Sequence, residues 1–236
     1  VSSTLIPRGL FMTRTGTIMA AADSVTVTVR GAGGHGSLPH RAKDPVPAAC
    51  EMVLALQTMI TRRFDVFDPV VLTVGAFHAG TAENIIPGEA VFGATLRSFS
   101  PATHAVIKDE VAAVVRGVAS AHGLTADISF DGMSYPVTVN NADAVRHVSS
   151  TVREVLGEER YFEQPQPIAG AEDFSLILDE VPGAMVILGA CPPNRDPKSA
   201  PANHAADATF DDAVLTDGAT VYSELAMRHL TPNKGD

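Results

Sequence analysis

The chain has little of what several common protein classes need. It contains two cysteines and no tryptophan, and its 17 Lys and Arg are outnumbered by 27 Asp and Glu, for a net charge of −10. Two cysteines do not make the disulfide framework of a small secreted protein. Nucleic acid is not an expected partner, because phosphate contacts need clusters of Lys and Arg. No apolar run reaches the roughly 18 residues of a membrane span, so we expect no membrane partner.

The cysteines and the first residues give further expectations. Cys50 falls on the apolar face of a predicted helix, so we expect it to be a small buried core residue. Cys191 precedes two prolines in a loop, where it could be exposed. No secretory leader is recognisable, which indicates a cytoplasmic location. Because the chain opens at Val1 and not at a Met, we expect the natural N-terminus to lie outside this sequence.

What the chain does contain is ample material for a packed core. Its 236 residues are 45% apolar with a mean hydropathy of +0.13, enough for one large domain or two small ones. Between Ser24 and Asp131 the patterns follow the order β-α-β-β-α-β. Strands are predicted at Ser24–Arg30, Pro69–His78, Glu89–Ser98 and Leu124–Asp131, and helices at Pro45–Arg62 and Pro101–His122.

This order predicts a ferredoxin-like domain, in which an antiparallel sheet carries both helices on one face. Its long edge strands would invite pairing with a second copy. RNA-recognition domains share the order, but they need stacking aromatics on the central strands and a basic face, which the predicted strands do not offer.

The flanks of this domain predict a different architecture. One strand between helices is typical of the end of an α/β domain, and alone it would leave its sheet without neighbours. We therefore expect residues 24–131 to be an insertion into a larger α/β domain, of which residues 1–23 and 132–236 are parts. The predicted elements of the C-terminal flank are helices at Asn141–Leu156, near Glu172–Leu178 and at Asp211–Leu230, and a buried strand at Ala184–Ala190.

The glycine-rich run behind the first strand matches two kinds of site. Gly31, Gly33 and Gly36 satisfy the dinucleotide-binding pattern G-x-G-x-x-G. That pattern needs a helix starting at the third glycine, so that its N-terminus can face a pyrophosphate. The prolines that follow, beginning with Pro39, delay the next helix, and we therefore reject a dinucleotide site.

Three side chains of the predicted insertion suit catalysis or binding. His35 lies among these glycines, where an imidazole could donate to a developing oxyanion, although a flexible turn with an incidental histidine is the alternative. Asn84 precedes I-I-P, which favours an extended path, or it could cap a turn. Arg97 ends a strand and offers a planar fork for a carboxylate, or it forms a surface salt bridge.

The C-terminal flank contains one candidate metal ligand. His204 follows the predicted buried strand, where a loop histidine can bind a metal ion or simply be exposed. Glu172 and Asp173 open a short helix and could serve its N-terminus electrostatically. The sequence has neither the H-E-x-x-H pattern of zinc peptidases nor the G-x-S-x-G pattern of serine hydrolases.

Several of these segments, taken in order, resemble a known family over nearly the whole chain. They resemble the dinuclear-zinc amidohydrolases that include hippurate hydrolase, N-acyl-amino-acid hydrolases and indole-acetyl-amino-acid hydrolases. The matching segments are Gly31 to Pro45, L-Q-T at 56–58, V-G at 74–75, N-I-I-P at 84–87, G-A-T-L-R at 93–97, G-A-E-D-F at 170–174, P-G at 182–183, L-G at 188–189, and His204 with F-D-D at 210–212.

The resemblance implies an architecture and a set of roles. Residues 24–131 would be a lid and dimerisation domain, inserted into a zinc-peptidase-like catalytic domain. His35 would polarise the scissile carbonyl in the active site of the partner subunit, while Asn84 and Arg97 would hold the same end of the substrate, Arg97 by its carboxylate. His204 would be the last metal ligand. The Cys-x-His motif, the paired glutamates and a further histidine of the family would all precede Val1.

The sequence thus predicts a metal-dependent hydrolase of amide bonds in N-acyl amino acids or similar small conjugates, acting as a homodimer joined through the lid. The complete enzyme is expected to use two divalent metal ions, Zn or alternatively Mn, Co or Ni, with at most one ligand in this chain. A dipeptidase or carboxypeptidase of the same family is the second candidate. A non-catalytic dimerisation and substrate-binding fragment is the third.

Overall fold

A computed structural model of the protein describes residues 1–132 and 134–231. Short 3₁₀ helices cover Pro39–Arg41, Glu158–Arg160 and Asp212–Val214. The strands and helices, in chain order, are β1 (Phe11–Thr13), β2 (Gly16–Met19), β3 (Ala21–Arg30), β4 (Gly34–His35), α1 (Pro45–Arg63), β5 (Val70–Ala79), β6 (Ile85–Ile86), β7 (Glu89–Ser98), α2 (Pro101–Ala121), β8 (Thr125–Ser129), β9 (Ser134–Tyr135), β10 (Thr138–Asn140), α3 (Ala142–Leu156), β11 (Tyr161–Glu163), α4 (Phe174–Glu180), β12 (Ile187–Leu188) and α5 (Leu215–Leu230).

The chain divides into two compact units. The insert unit consists of Met19–Thr138 and Ile168–Leu176, and the flank unit consists of Val1–Ile18, Val139–Pro167 and the chain from Ile177 onward. In the described residues, no helix combines the length and the apolar composition needed to cross a bilayer.

The sheet of the insert unit has the predicted ferredoxin-like order. Strands β5, β7, β3 and β8 lie side by side in that order, each antiparallel to its neighbours, and β9 also pairs with β3. The strands before and after each long helix are not neighbours, because one other strand lies between them in the sheet. This spacing defines the split β-α-β arrangement. The mixed α/β prediction for this part of the chain is confirmed.

Local capping interactions set where the long helices α1 and α2 begin, and a glycine sets where α2 ends. The Asp44 carboxylate accepts a hydrogen bond from Val46 N at 2.9 Å, and Ser100 Oγ accepts one from Thr103 N, so each helix has a side-chain N-cap. A proline occupies the first turn of each, where its missing N–H costs nothing. Gly123 follows α2 with φ of +64°, a conformation that glycine adopts without strain.

The core of the insert unit lies between the helices and one face of the sheet. Alternate residues of β3 and β7 point into it, and fully buried side chains of α1 and α2 cover them. The opposite face carries small polar residues such as Thr26, Thr28 and Thr95. The large, fully buried side chains of this core include Phe92, Met52, Leu56, Leu96, Ile107, Val25, Val27 and Val29.

Both expectations for the cysteines are wrong. Cys50 is exposed, because the buried stripe of α1 passes through Ala49, Met52 and Leu56 and leaves the next position facing outward. Cys191 is buried, at 2% exposure, with its Sγ 3.7 Å from the carbonyl oxygen of Arg195.

The flank unit corrects another expectation. The strand predicted at residues 184–190 is present but covers only β12, Ile187–Leu188. Contrary to the expectation, it has neighbouring strands within this chain. Strand β1 pairs with β12 antiparallel and with β11 parallel. Strand β11 was not predicted, because its three residues are too few to show a repeated alternation of apolar and polar side chains. Helices α3 and α5 cover this sheet through Val148, Val152 and Val221.

A buried carboxylate organises one end of the insert unit. Asp23 on β3 is 2% exposed, and its Oδ1 accepts from Ser134 Oγ at 2.6 Å and lies 2.7 Å from Lys108 Nζ. Its Oδ2 lies 2.9 Å from His104 Nε2 on α2. The carboxylate therefore joins the start of β3 to α2 and to β9.

Removal of this carboxylate should destabilise the protein. We expect Asp23→Ala to lower the free energy of unfolding by about 2–3 kcal/mol, because Lys108, His104 and Ser134 lose their shared partner. Asp127→Ala is the matched control, since Asp127 pairs with Arg30 on the surface and is 69% exposed. Urea unfolding of both variants checks this, and equal losses would mean that the Asp23 cluster contributes no more than a surface ion pair.

Candidate functional site

The structure brings His35 and Asn84 into one loop cluster of the insert unit. Strand β4, which contains His35, pairs with β6, so that His35 lies opposite Ile85. The next residue, Gly36, donates its N–H to the carbonyl oxygen of Asn84 at 2.8 Å. The segment that carries the histidine and the segment that carries the asparagine are therefore held together by backbone hydrogen bonds.

The glycines around His35 permit this close approach of backbone segments. A Cβ on Gly31 would lie 2.2 Å from the carbonyl oxygen of Lys43, one on Gly33 would lie 2.9 Å from that of Ile86, and one on Gly36 would lie 3.0 Å from that of Asn84. A larger residue at Gly31 or Gly33 would therefore clash with protein backbone, and one at Gly36 would require the backbone of Asn84 to shift by a few tenths of an ångström. Helix α1 begins only at Pro45, so no helix N-terminus faces the third glycine. This agrees with the rejection of a dinucleotide site.

The His35 ring is exposed, and one of its nitrogens is already engaged. Its Nδ1 accepts the backbone N–H of Ser37 at 3.2 Å and lies 2.8 Å from Ser37 Oγ. A backbone N–H can only donate, so Nδ1 carries a lone pair and the proton of a neutral ring is on Nε2. The ring therefore presents an N–H donor away from its own loop.

Asn84 is exposed beside this histidine. The turn before it is closed by Ile85 N, which donates to the carbonyl oxygen of Ala82 at 3.3 Å. An open cavity of about 470 Å³ lies next to it, lined by residues 79–83 together with Val46, Ile85 and Pro87. Asn84 is not among the lining residues, although both of its chain neighbours are.

Arg97 lies away from this loop cluster, on the main sheet of the insert unit. It is half-buried on the face opposite the helices, close to the end of β7, and its Nη1 donates to the carbonyl oxygen of Ala169 at 2.6 Å. Residues Glu89 and Arg97 are about 25 Å apart along an extended strand, and His35 and Asn84 lie beyond the Glu89 end. The expectation that Asn84 and Arg97 hold the same end of one substrate is therefore wrong within a single subunit.

The segment Ile168–Leu176 also belongs to the insert unit. The carbonyl oxygen of Ile168 accepts from Ala20 N at 3.0 Å, and the side chain of Met19 packs against Gly170. Glu172 is half-buried in this segment, and its carbonyl oxygen accepts from Ser175 Oγ at 2.6 Å. Arg97 is thus held against the segment that contains G-A-E-D-F, a contact that its sequence position does not reveal.

His204 lies in an exposed turn of the flank unit. Asn203, immediately before it, accepts from Ser3 N at 2.9 Å and donates from its amide nitrogen to the carbonyl oxygen of Val1 at 2.8 Å. The turn that carries the candidate metal ligand is therefore fixed to the first residues of the chain. Sequence reasoning singled out His204 and overlooked Asn203, whose role depends on a partner some 200 positions away.

The described part of the chain does not form a metal site by itself. In residues 1–132 and 134–231, no group of three or more His, Cys, Asp or Glu side chains is close enough to hold a metal ion. His204 provides one imidazole at an exposed position, and a protein zinc site uses three or four such ligands.

Comparison with known proteins agrees with the architecture. The model of the peptidase dimerisation domain of the M20 family matches residues 21–122, which include β3, β5, β7 and both long helices of the insert unit. Relatives match across both units in a single continuous comparison. This chain belongs to the M20 peptidase family. The predicted insertion of a dimerisation domain into an α/β catalytic domain is thereby confirmed.

The relatives of this chain are named for several different hydrolase activities. Thermostable carboxypeptidase 2 of Saccharolobus solfataricus is 33% identical over 96% of this chain and 56% of its own length. Hippurate hydrolase of Campylobacter jejuni is 31% identical over 93% and 55%, and an IAA-amino acid hydrolase of Arabidopsis thaliana is 32% identical over 97% and 51%. The chain spans about half the length of the curated relatives it matches.

Solved structures show the same fold. A Staphylococcus aureus protein described as an aminohydrolase superimposes with a TM-score of 0.84 at 26% identity, over 96% of this chain and 57% of the other. The YXEP protein of Bacillus subtilis, described as a dinuclear metal binding peptidase of the M20 family, superimposes with a TM-score of 0.73 at 22% identity, over 95% and 54%.

Proposed function

We propose that this chain is part of a metal-dependent hydrolase of amide bonds in N-acyl amino acids or similar small conjugates. The support comes from the family and from relatives named as hippurate hydrolase and IAA-amino acid hydrolase. A carboxypeptidase or dipeptidase is the second candidate, supported by the two thermostable carboxypeptidases among the relatives. Both candidate enzymes cleave an amide bond next to a free carboxylate. Both reactions therefore need a donor to the carbonyl oxygen and a cation that binds the carboxylate.

The observation that carries the proposal is the orientation of His35. Addition of water to an amide places a negative charge on the carbonyl oxygen, and a fixed N–H donor lowers the energy of that state. His35 presents Nε2–H from a loop whose Gly36 donates a backbone hydrogen bond to Asn84 and whose Ser37 donates one to His35 Nδ1. We assign to it the role of the donor to this oxygen.

His35 would act on the active site of the partner subunit in a homodimer. Arg97 lies near one end of β7, and the β4–β6 pair that carries His35 lies beyond the other end, so that the length of β7 alone, about 25 Å, exceeds the span of a small N-acyl amino acid. One substrate can therefore contact both residues only if they come from different subunits. The dimerisation domain of the family provides the route to such an arrangement.

Arg97 and Asn84 would bind the substrate at separate points. The guanidinium of Arg97 has N–H groups beyond the one that contacts Ala169, and its planar fork suits the free carboxylate of an amino acid. Asn84, held beside His35, would contact the acyl side of the bond from the same subunit as the histidine. The carboxylate and the reacting amide would thus be positioned by two different subunits.

We assign His204 as a metal ligand of the complete enzyme. Two divalent metal ions are expected there, Zn or alternatively Mn, Co or Ni, and when bound they would activate water and polarise the amide. This chain supplies at most one of their ligands, so the others would come from the part of the relatives' length that this chain does not span. The turn of His204 is held in place by the hydrogen bond from the Asn203 amide to the carbonyl oxygen of Val1.

The substrate class can be tested by direct assay of the complete protein. We expect metal-loaded enzyme to hydrolyse N-benzoylglycine or an indole-acetyl amino acid with a kcat/KM at least about tenfold above that for dipeptides. Faster cleavage of dipeptides would support the second candidate. A complete protein that binds two metal ions per chain and cleaves none of these substrates would contradict the proposal and favour a non-catalytic binding role.

The dimer is proposed to form through β5, which is an edge of the described sheet. This ten-residue strand contains no Pro, Lys, Arg, Asp or Glu, the residues that commonly block edge pairing. We expect Thr73→Lys to weaken dimerisation about tenfold, because the two-fold axis would bring like charges together across the new pair of strands. Sedimentation equilibrium of the whole chain measures the dissociation constant.

Thr26→Lys is the matched control for this prediction. Thr26 is also exposed on the open face, but it lies on the central strand β3, away from the edge. The same change of residue and charge should leave the dissociation constant nearly unchanged there. A monomeric wild-type chain at tens of micromolar would contradict the dimer, and equal effects of the two lysines would place the interface away from β5.

A further inference from the structure

The turn that follows β4 folds Ser37 back onto the His35 ring. Leu38 N donates to the carbonyl oxygen of His35 at 2.8 Å, which closes a four-residue turn. Within this turn the Ser37 amide and hydroxyl both face Nδ1 of His35, at 3.2 Å and 2.8 Å. Gly36, between the two residues, donates its N–H to the carbonyl oxygen of Asn84 at 2.8 Å, which attaches the turn to the neighbouring segment.

The two contacts determine where the imidazole proton lies. The hydroxyl alone would be ambiguous, since it can donate to a bare Nδ1 or accept from Nδ1–H. The amide removes the ambiguity, because a proton on Nδ1 would point at another N–H. Nδ1 must therefore be an acceptor, the Ser37 hydroxyl donates to it as well, and Nε2 carries the proton.

We propose that Ser37 is a positioning residue that holds His35 in the Nε2–H tautomer and fixes the direction in which Nε2–H points. The proposal rests on the function proposed above, in which that N–H donates to the carbonyl oxygen of the substrate. With the other tautomer, Nε2 would present a lone pair to an oxygen that is gaining negative charge. Loss of the hydroxyl leaves only the longer amide contact, so both the proton position and the ring orientation are less well defined.

The tautomer can be measured without any substrate or metal ion. The chain labelled with ¹⁵N-histidine gives separate imidazole nitrogen resonances in long-range ¹H–¹⁵N spectra, and His35→Gln identifies those of His35 among the eight histidines. In the neutral ring we expect wild-type His35 to be protonated at Nε2. Ser37→Ala should raise the share of the Nδ1–H form severalfold, and Ser37→Thr, which keeps the hydroxyl, should not.

Two outcomes of this measurement would overturn the proposal. A wild-type His35 protonated at Nδ1 contradicts it, and so does a tautomer ratio that is the same in Ser37→Ala and the wild type. Ser129→Ala removes a hydroxyl elsewhere in the same unit, where it contacts Asp131, and should leave the His35 resonances unchanged. Backbone amide spectra that superimpose away from the turn show that each variant is folded.

A kinetic measurement on the complete enzyme separates this proposal from the function it rests on. Ser37→Ala should lower kcat about three- to tenfold with KM little changed, and Ser37→Thr should restore most of the loss. In a His35→Ala background, Ser37→Ala should cost nothing further, because its effect passes through the ring. Altered tautomers with unaltered kcat would contradict the role of the His35 donor, whereas unaltered tautomers would contradict the role of Ser37.

Discussion

The His35→Ala variant of the complete enzyme is expected to lose about a hundredfold or more in kcat, with its metal content unchanged. The loss follows from the removal of an N–H donor that acts mainly when the carbonyl oxygen gains charge. KM should change much less, because the ground-state carbonyl is a weak acceptor by comparison. Steady-state kinetics on an N-acyl amino acid, together with metal analysis of the purified variant, measures both effects.

His40→Ala is the matched control for this variant. His40 is also exposed and lies in the same loop, in the 3₁₀ helix Pro39–Arg41. Its replacement should leave kcat within about threefold of the wild type, which is what surface substitutions away from a site usually do. If His35→Ala lost bound metal instead, His35 would be a ligand and the division of roles between His35 and His204 would be wrong.

The Arg97→Ala variant should lose about 2–4 kcal/mol in kcat/KM on substrates with a free carboxylate. A carboxylate that leaves water for a closed site needs a charged partner, and a guanidinium fork supplies two parallel hydrogen bonds. Arg97→Lys keeps the charge but loses this geometry, so it should recover only part of the activity. The measurement is kcat/KM for all three proteins on one N-acyl amino acid.

Amidated substrates separate binding from support of the fold. On a substrate whose carboxylate is amidated, Arg97→Ala and wild type should have nearly the same kcat/KM. Arg97 also holds the carbonyl oxygen of Ala169, so its loss should destabilise the segment that starts at Ile168. An equal penalty on charged and amidated substrates would show that this structural contact is its main role.

Much of the insert unit was predictable from the sequence because its signals are local. Alternating valines mark β3, Asp44 and Ser100 mark helix starts, and Gly123 marks a helix end, and each of these works through neighbours a few residues away. The structure places the long strands and helices within a few residues of the predicted bounds. The glycines around His35 are also a local signal, and they correctly predicted that backbone segments approach each other closely there.

Features that depend on distant partners were not predictable in the same way. The neighbours of β12 lie at β1 and β11, far along the chain, so the pattern of the strand alone gave no indication of them. The side of α1 that faces the core is set by the sheet it packs on, and for this reason Cys50 was misplaced. The separation of Asn84 from Arg97 follows from the direction and length of β7, which a list of motifs does not contain.

The central claim is that His35 of one subunit completes the active site of the other. It is tested most directly by a purified mixed dimer of the complete enzyme, in which one subunit carries His35→Ala and the other carries His204→Ala. If the histidine acts across the dimer, one of the two sites has both His204 and His35 intact, and the mixed dimer should have about half the activity of the wild type. If His35 acts within its own subunit, each site lacks one of the two histidines, and a mixed dimer as inactive as the parent variants would contradict the account.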